Sequence, residues 1–174
     1  MPGAERWDVM RYCGIDGTTI AASSFLSSYE PWGAIGGEFQ IAHNGWSTAV
    51  GQHANSWLSW GFVQPLDVTS LTLTGSAVTS ESPNTFKLQY SDDNTTWTDH
   101  TSWSGITWTA NQVKVMTLGA SAGAHKYWRI YVTSNNGSTS YTRLKNISIP
   151  QVFSGSTFDF ACRAAAWLKA PGQT

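Results

Sequence analysis

The segment Phe86 to Asp99, FKLQYSDDNTTWTD, limits what this chain can fold into more than any other stretch. Phe86, Leu88 and Tyr90 alternate with Lys87 and Gln89, the period of a half-buried strand. Ser91-Asp92-Asp93-Asn94 follows, and short polar side chains of this kind bond to their own backbone and reverse the chain. Trp97 then opens a returning segment. Strand, polar turn and aromatic anchor together predict an antiparallel hairpin. No nucleophile–base pair or metal-ligand spacing comes with it, so it reads as scaffold rather than chemistry.

The same period recurs along the chain. Gly17 to Ser24 predicts a first strand, and Leu71 and Leu73 alternate with threonines in a second. In Ser56 to Phe62, Leu58, Trp60 and Phe62 share one phase, leaving Trp57 for a second layer or a surface. Val113 to Leu118 alternates again. In Tyr127 to Thr133 the core takes Trp128, Ile130 and Val132, with Tyr127, Arg129 and Tyr131 on the other phase. In the last region, Leu144, Asn146 and Ser148 alternate with Lys145, Ile147 and Ile149, and neither set is cleanly apolar. Asn44-Gly45 and Ser134-Asn135-Asn136-Gly137 are turn signals. Many short strands between Gly-rich and Ser-rich turns predict an all-β sandwich.

Length and charge bound the function. A chain of 174 residues supports one substantial core. With 10 basic and 11 acidic residues, and only 12 % charged, it offers no electrostatic handle for nucleic acid. No apolar run reaches the length of a membrane span. The start, MPGAERWDVMRYCG, lacks a basic stretch followed by an apolar core, which predicts synthesis in the cytosol. The ten tryptophans can pack a core, and they also supply flat contact surfaces for rings and partners.

The two ends differ from the middle. Residues 1–16 read as an N-terminal arm, with Trp7, Met10 and Tyr12 as a docking stripe. Residues 153–174 read as a C-terminal extension. Within it, Ala161 to Ala170 predicts a short helix, with Asp159 as N-cap and Pro171-Gly172 as stop. A helix of about ten residues needs something to dock on. Oligomerisation, or attachment to other proteins, is therefore expected through residues 1–14 and 153–174.

In order, Ile20–Ser24, Trp46–Ala49, WLSWGF, VTSLTLT, the YSDD…TW hairpin, HKYWRIYVTSNNG and RLKNISI resemble the discoidin, or coagulation factor type C, module. This galactose-binding-like fold is shared by one carbohydrate-binding family. The resemblance implies a jelly-roll β-sandwich over residues 17–152, with a five-stranded and a three-stranded antiparallel sheet. Members join their termini by a disulfide in some cases, and Cys13 and Cys162 flank the matched region in that manner. Two reduced thiols are the alternative, favoured by cytosolic synthesis. Members also hold a structural calcium through an Asp-Gly after the first loop and a Glu on the last strand. Here Gly36 and Asn146 stand at those places, with Glu38 as a partial substitute, so the set is short of carboxylates and no cofactor is expected.

Sugar-binding members use loops at one end of the sandwich. By position this implies Trp32, His53, Glu81, Asn84, Trp103 and Asn135 as ligand-contacting candidates. The arginine that grips the sugar in the third loop is missing between Gly75 and Thr85. Catalysis finds no support in the sequence. His43, His53, His100 and His125 are scattered, no GxSxG or HExxH occurs, and Asp92-Asp93 reads as a solvated turn. The expectation is a non-catalytic carbohydrate-binding or adhesion module displayed on a phage virion. A virion structural or decoration protein without a sugar site is the first alternative. An accessory module of a polysaccharide-active enzyme is the second.

Overall fold

The computed structural model describes residues 15–35 and 45–149. They form nine strands: β1 (Ile15–Ala22), β2 (Trp46–Ser47), β3 (Ser56–Leu66), β4 (Leu71–Gly75), β5 (Pro83–Ser91), β6 (Thr98–Trp103), β7 (Val113–Met116), β8 (His125–Asn135) and β9 (Arg143–Ser148). Two antiparallel sheets result, ordered β1-β3-β8-β5-β6 and β2-β9-β4-β7.

The second sheet has four strands, not the expected three. The addition is β2, which pairs with the start of β9. Gly45 makes this approach feasible: at φ +91° it lies so close to β9 that a Cβ there would sit 2.3 Å from the Leu144 carbonyl oxygen. The helical extension also needs correction, since the described residues contain short 3-10 turns and no α-helix. That expectation rested on alanine propensity over Ala161 to Ala170, which lie outside the described residues. Residues 1–14 and 153–174, Cys13 and Cys162 lie outside the described residues.

Alternation decides what is buried. Leu58, Trp60 and Phe62 of β3, Phe86 and Leu88 of β5, and Trp128, Ile130 and Val132 of β8 face inward and are buried. Trp46, Leu71, Leu73, Leu144 and Ile147 meet them from the other sheet. Truncating any one of the large aromatics to alanine costs about 3–5 kcal/mol. Buried indole N–H groups need acceptors. Trp46 Nε1 donates to the Ser24 carbonyl at 3.0 Å, Trp108 Nε1 to that of Pro83 at 2.6 Å, and Trp128 Nε1 to those of Leu66 and His125 at 3.2 Å.

A bulge resolves the ambiguous phase of β9. Thr74 pairs with Asn146 but Gly75 with Leu144, so Lys145 is an extra residue. Leu144 and Ile147, three apart, can therefore both point inward. At the sheet edge, β7 pairs only with β4 among the described residues. Val113 and Val115 are exposed on its outer phase, and Lys114 lies opposite the buried Leu73, on the inward phase. Its ammonium sits 5.5 Å from the centroid of the Trp108 ring.

The chain passes from one sheet to the other at every connection except β5 to β6. The antiparallel registers place the connections 48–55, 76–82, 104–112 and 136–142, with the described residues after β1, at one end of the sandwich. The hairpin turn 92–97 lies at the opposite end. Many loops on a rigid base make the first end the natural place for recognition.

Candidate functional site

At the loop end, β9 begins with Arg143, whose guanidinium lies between two tyrosine rings. Its Cζ is 4.8 Å from the ring centroid of Tyr29 and 4.6 Å from that of Tyr141. Arg143 Nε donates to Ser47 Oγ at 3.0 Å and lies 3.2 Å from Glu81 Oε2. Glu81 is buried, and its Oε2 also accepts from the Ser76 hydroxyl at 3.3 Å. The Nη groups of Arg143 make no hydrogen bond among the described residues, and a fifth of the side chain remains exposed. The cluster therefore presents a charged donor fork between two aromatic faces, with its charge balanced by a carboxylate beneath.

The loops around it are held by asparagines. Asn84 Nδ2 donates to Asn136 Oδ1 at 3.1 Å and to the Ile106 carbonyl at 3.3 Å. Asn136 Nδ2 donates to the Ser82 carbonyl at 2.9 Å, beside Glu81. Asn135 Nδ2 donates to the carbonyls of Ser138 and Tyr141, and the Thr142 hydroxyl donates to the His53 carbonyl at 2.6 Å. Of the six candidates, the fold thus brings His53, Glu81, Asn84 and Asn135 into one region. The side chains of the other two pack against the core. Trp32, in the 3-10 turn Pro31–Gly33, packs on the core just before Ile35, which bridges to Ile147. Trp103 packs against Phe86, with ring centroids 5.1 Å apart and planes tilted by 33°, and donates its indole N–H to the Thr117 carbonyl at 3.2 Å.

Sequence reasoning missed Tyr29, Tyr141 and Arg143. One local signal was available: Tyr141 and Arg143 are two apart in an extended segment, so they share a face. Glu81 comes from a separate loop, and no local pattern links it to them.

Among the described residues, catalytic and metal chemistry find no such assembly. Asp93 accepts from the backbone N–H groups of Thr96 and Thr95 at 2.7 and 2.8 Å and from the Ser91 hydroxyl. These donors hold its carboxyl far below the usual range. Asp92 lies 3.0 Å from His125 Nδ1, and that contact also lowers its pKa. Both carboxylates are engaged in fastening a turn. Among the described residues no group of three or more His, Cys, Asp or Glu could hold a metal ion. Asn146 lies on the outer phase of β9 opposite Thr74, while Gly36 and Glu38 are outside the described residues. Asn146 alone does not fit a calcium ion, which takes six to eight oxygens.

A family model for the F5/8 type C domain matches residues 19–146. The chain belongs to the F5/8 type C domain family. No curated protein sequence matches it. In structure, this F5/8 type C domain is similar to the family 32 carbohydrate-binding module of C. perfringens NanJ, solved in complex with galactose. The identity is 19 %, the match covers 79 % of this chain and 94 % of that one, and the TM-score is 0.60. It is also similar to chitosan-binding module 1 of a chitosanase/glucanase from Paenibacillus sp. IK-5, at 20 % identity, 76 % and 94 % coverage and a TM-score of 0.59. Truncated AlyQ, which carries a family 32 module and alginate lyase domains, matches at 16 % identity over 78 % of this chain and 32 % of that one, with a TM-score of 0.60. Likeness at this level of identity establishes the shared fold.

Proposed function

We propose that this F5/8 type C domain binds carbohydrate through the Tyr29–Arg143–Tyr141 cluster, without catalysing a reaction on it. The observation that carries this reading is the guanidinium held between two tyrosine rings over a buried carboxylate, at the end of the sandwich where the loops gather. A sugar needs an apolar face for its C–H groups and a few fixed polar groups for its hydroxyls. The tyrosine rings supply the first, and the Arg143 Nη groups supply the second. His53, Glu81, Asn84 and Asn135 shape and support the surrounding rim. Because Glu81 offsets the charge of Arg143, the site suits a neutral sugar.

The setting favoured by the comparisons is an accessory module of a polysaccharide-active enzyme. The NanJ module, the chitosanase/glucanase module and the AlyQ module are all described as parts of such proteins or as binding modules. Display on a virion, and assembly through residues 1–14 and 153–174, rest on the sequence reading alone.

Affinity electrophoresis of the full chain in neutral galactan tests the site. Retardation is expected, with a loss of at least about tenfold in affinity for Tyr141→Ala, as for removal of a stacking ring and its neighbour's support. Unchanged retardation of a folded Tyr141→Ala protein overturns the assignment.

A further inference from the structure

On the outer face of the five-stranded sheet, away from the loop end, a second arginine is set among aromatic rings. Arg129 of β8 has its Cζ 4.3 Å from the ring centroid of Trp97, 5.3 Å from that of Tyr131 and 5.9 Å from that of Trp57. These rings come from β3, β8 and the end of the hairpin turn, so the sheet itself assembles them. Arg129 Nε donates to Gln89 Oε1 at 2.7 Å. The acid nearest to it is already engaged: Asp99 accepts from Lys87 at 2.7 Å through one oxygen and from Gln89 through the other. Among the described residues no carboxylate pairs directly with Arg129, and its Nη groups make no hydrogen bond.

The consequence is a half-buried cation whose outward donors have no partner. Burial is the main influence on its proton affinity and lowers it, while Tyr131 and Asp99 oppose that effect. An arginine in this state stays charged and gains from any anion that fits its planar fork. Lys87 is paired with Asp99, and Asp16 stands outward on β1 opposite Gly61, so the attraction for an anion is local to the Arg129 fork. The rings around the fork are flat, rigid and only partly exposed, which suits the C–H face of a pyranose. A neutral sugar would satisfy the rings but not the charge. A uronic acid satisfies both, with its ring on the indole and its carboxylate on the two Nη groups.

We propose that the sheet face around Trp57, Arg129, Tyr131 and Trp97 is a second carbohydrate site, for acidic polysaccharides built from uronic acids. The inference rests on the reading of the domain as a carbohydrate-binding module, but on none of the residues of the loop-end cluster.

The test uses the full chain and a matched pair of polymers, polygalacturonate and its methyl ester, with neutral galactan reporting on the loop end. Polygalacturonate is expected to bind more tightly than the ester, and salt to weaken it. Arg129→Gln is expected to lose roughly tenfold or more of the affinity for polygalacturonate, the worth of a charge-assisted bond, with galactan binding unchanged. Arg129→Lys keeps the charge without the fork and is expected to recover only part of that loss. Trp97→Ala, which leaves every hydrogen bond of Arg129 in place, is expected to weaken polygalacturonate binding as well. Retention of wild-type affinity for polygalacturonate in folded Arg129→Gln overturns the proposal. So does equal binding of acid and ester. Galactan bound through the loop end, with polygalacturonate ignored, sinks the second site and leaves the first standing. Failure to bind any of the three polymers removes both.

Discussion

Arg143 and Arg129 are two solutions to one problem, a guanidinium set among aromatic rings. Arg143 lies between loops, over the buried Glu81. Arg129 lies on a sheet, with Asp99 turned toward Lys87 and Gln89 instead of toward it. The first charge is compensated by a buried carboxylate, and the second has no carboxylate pairing with it directly among the described residues. An ion pair that is largely desolvated becomes part of the structure, because each partner is costly to leave alone. A charge held by rings and one amide can be removed at little structural cost.

Charge removal separates the two most strongly. Glu81→Ala leaves Arg143 partly buried without its partner and frees the Ser76 hydroxyl, so a loss of about 2–4 kcal/mol is expected in urea unfolding. A loss below about 1 kcal/mol would make the two arginines alike and break the contrast. Trp97→Ala should cost less, about 1 kcal/mol, because one partly exposed cation–π contact goes and the hydrogen bonds of Arg129 stay. Asp99→Asn removes an exposed pair with Lys87, and no more than about 1 kcal/mol is expected. The smallest effect concerns acid. The carboxyls of Asp93 and Asp99 are lowered, by the backbone N–H of Thr96 and by Lys87 respectively, so they stabilise the fold above the unfolded carboxylate value. That contribution is lost as pH falls below about 4. Thermal melts from pH 5 to pH 2 should fall less steeply in Asp93→Ala than in the wild type, and parallel curves would remove the turn from the account.

How much of this could be read in advance depended on where the partners lie in sequence. The β5–β6 hairpin was legible because it is the single connection that stays within one sheet. Strand, turn and return are adjacent, so period and turn chemistry suffice. Trp57 and Arg129 were visible as residues off the core phase, although alternation says nothing of their meeting. The phase of β9 was unreadable because the bulge at Lys145 puts Leu144 and Ile147 on one face. The fourth strand is two residues long, below what a periodic signal can mark, and Gly45 is its only advance notice. Glu81 was singled out, but the sugar-gripping arginine that the resemblance implies was sought between Gly75 and Thr85, whereas Arg143 stands at the start of β9. Sites built across a sandwich end are products of topology, and local patterns carry only their halves.

Lys114 has a consequence for how many copies of this domain can share a solution. Among the described residues no strand lies on the outer side of β7, and with two exposed valines it is a template on which another chain could add a strand. Adding one would press a neighbour against an ammonium on the face that ought to be apolar. The lysine acts as a guard against stacking edge to edge. With it replaced by isoleucine, the same strand becomes a seam along which molecules can polymerise at high concentration.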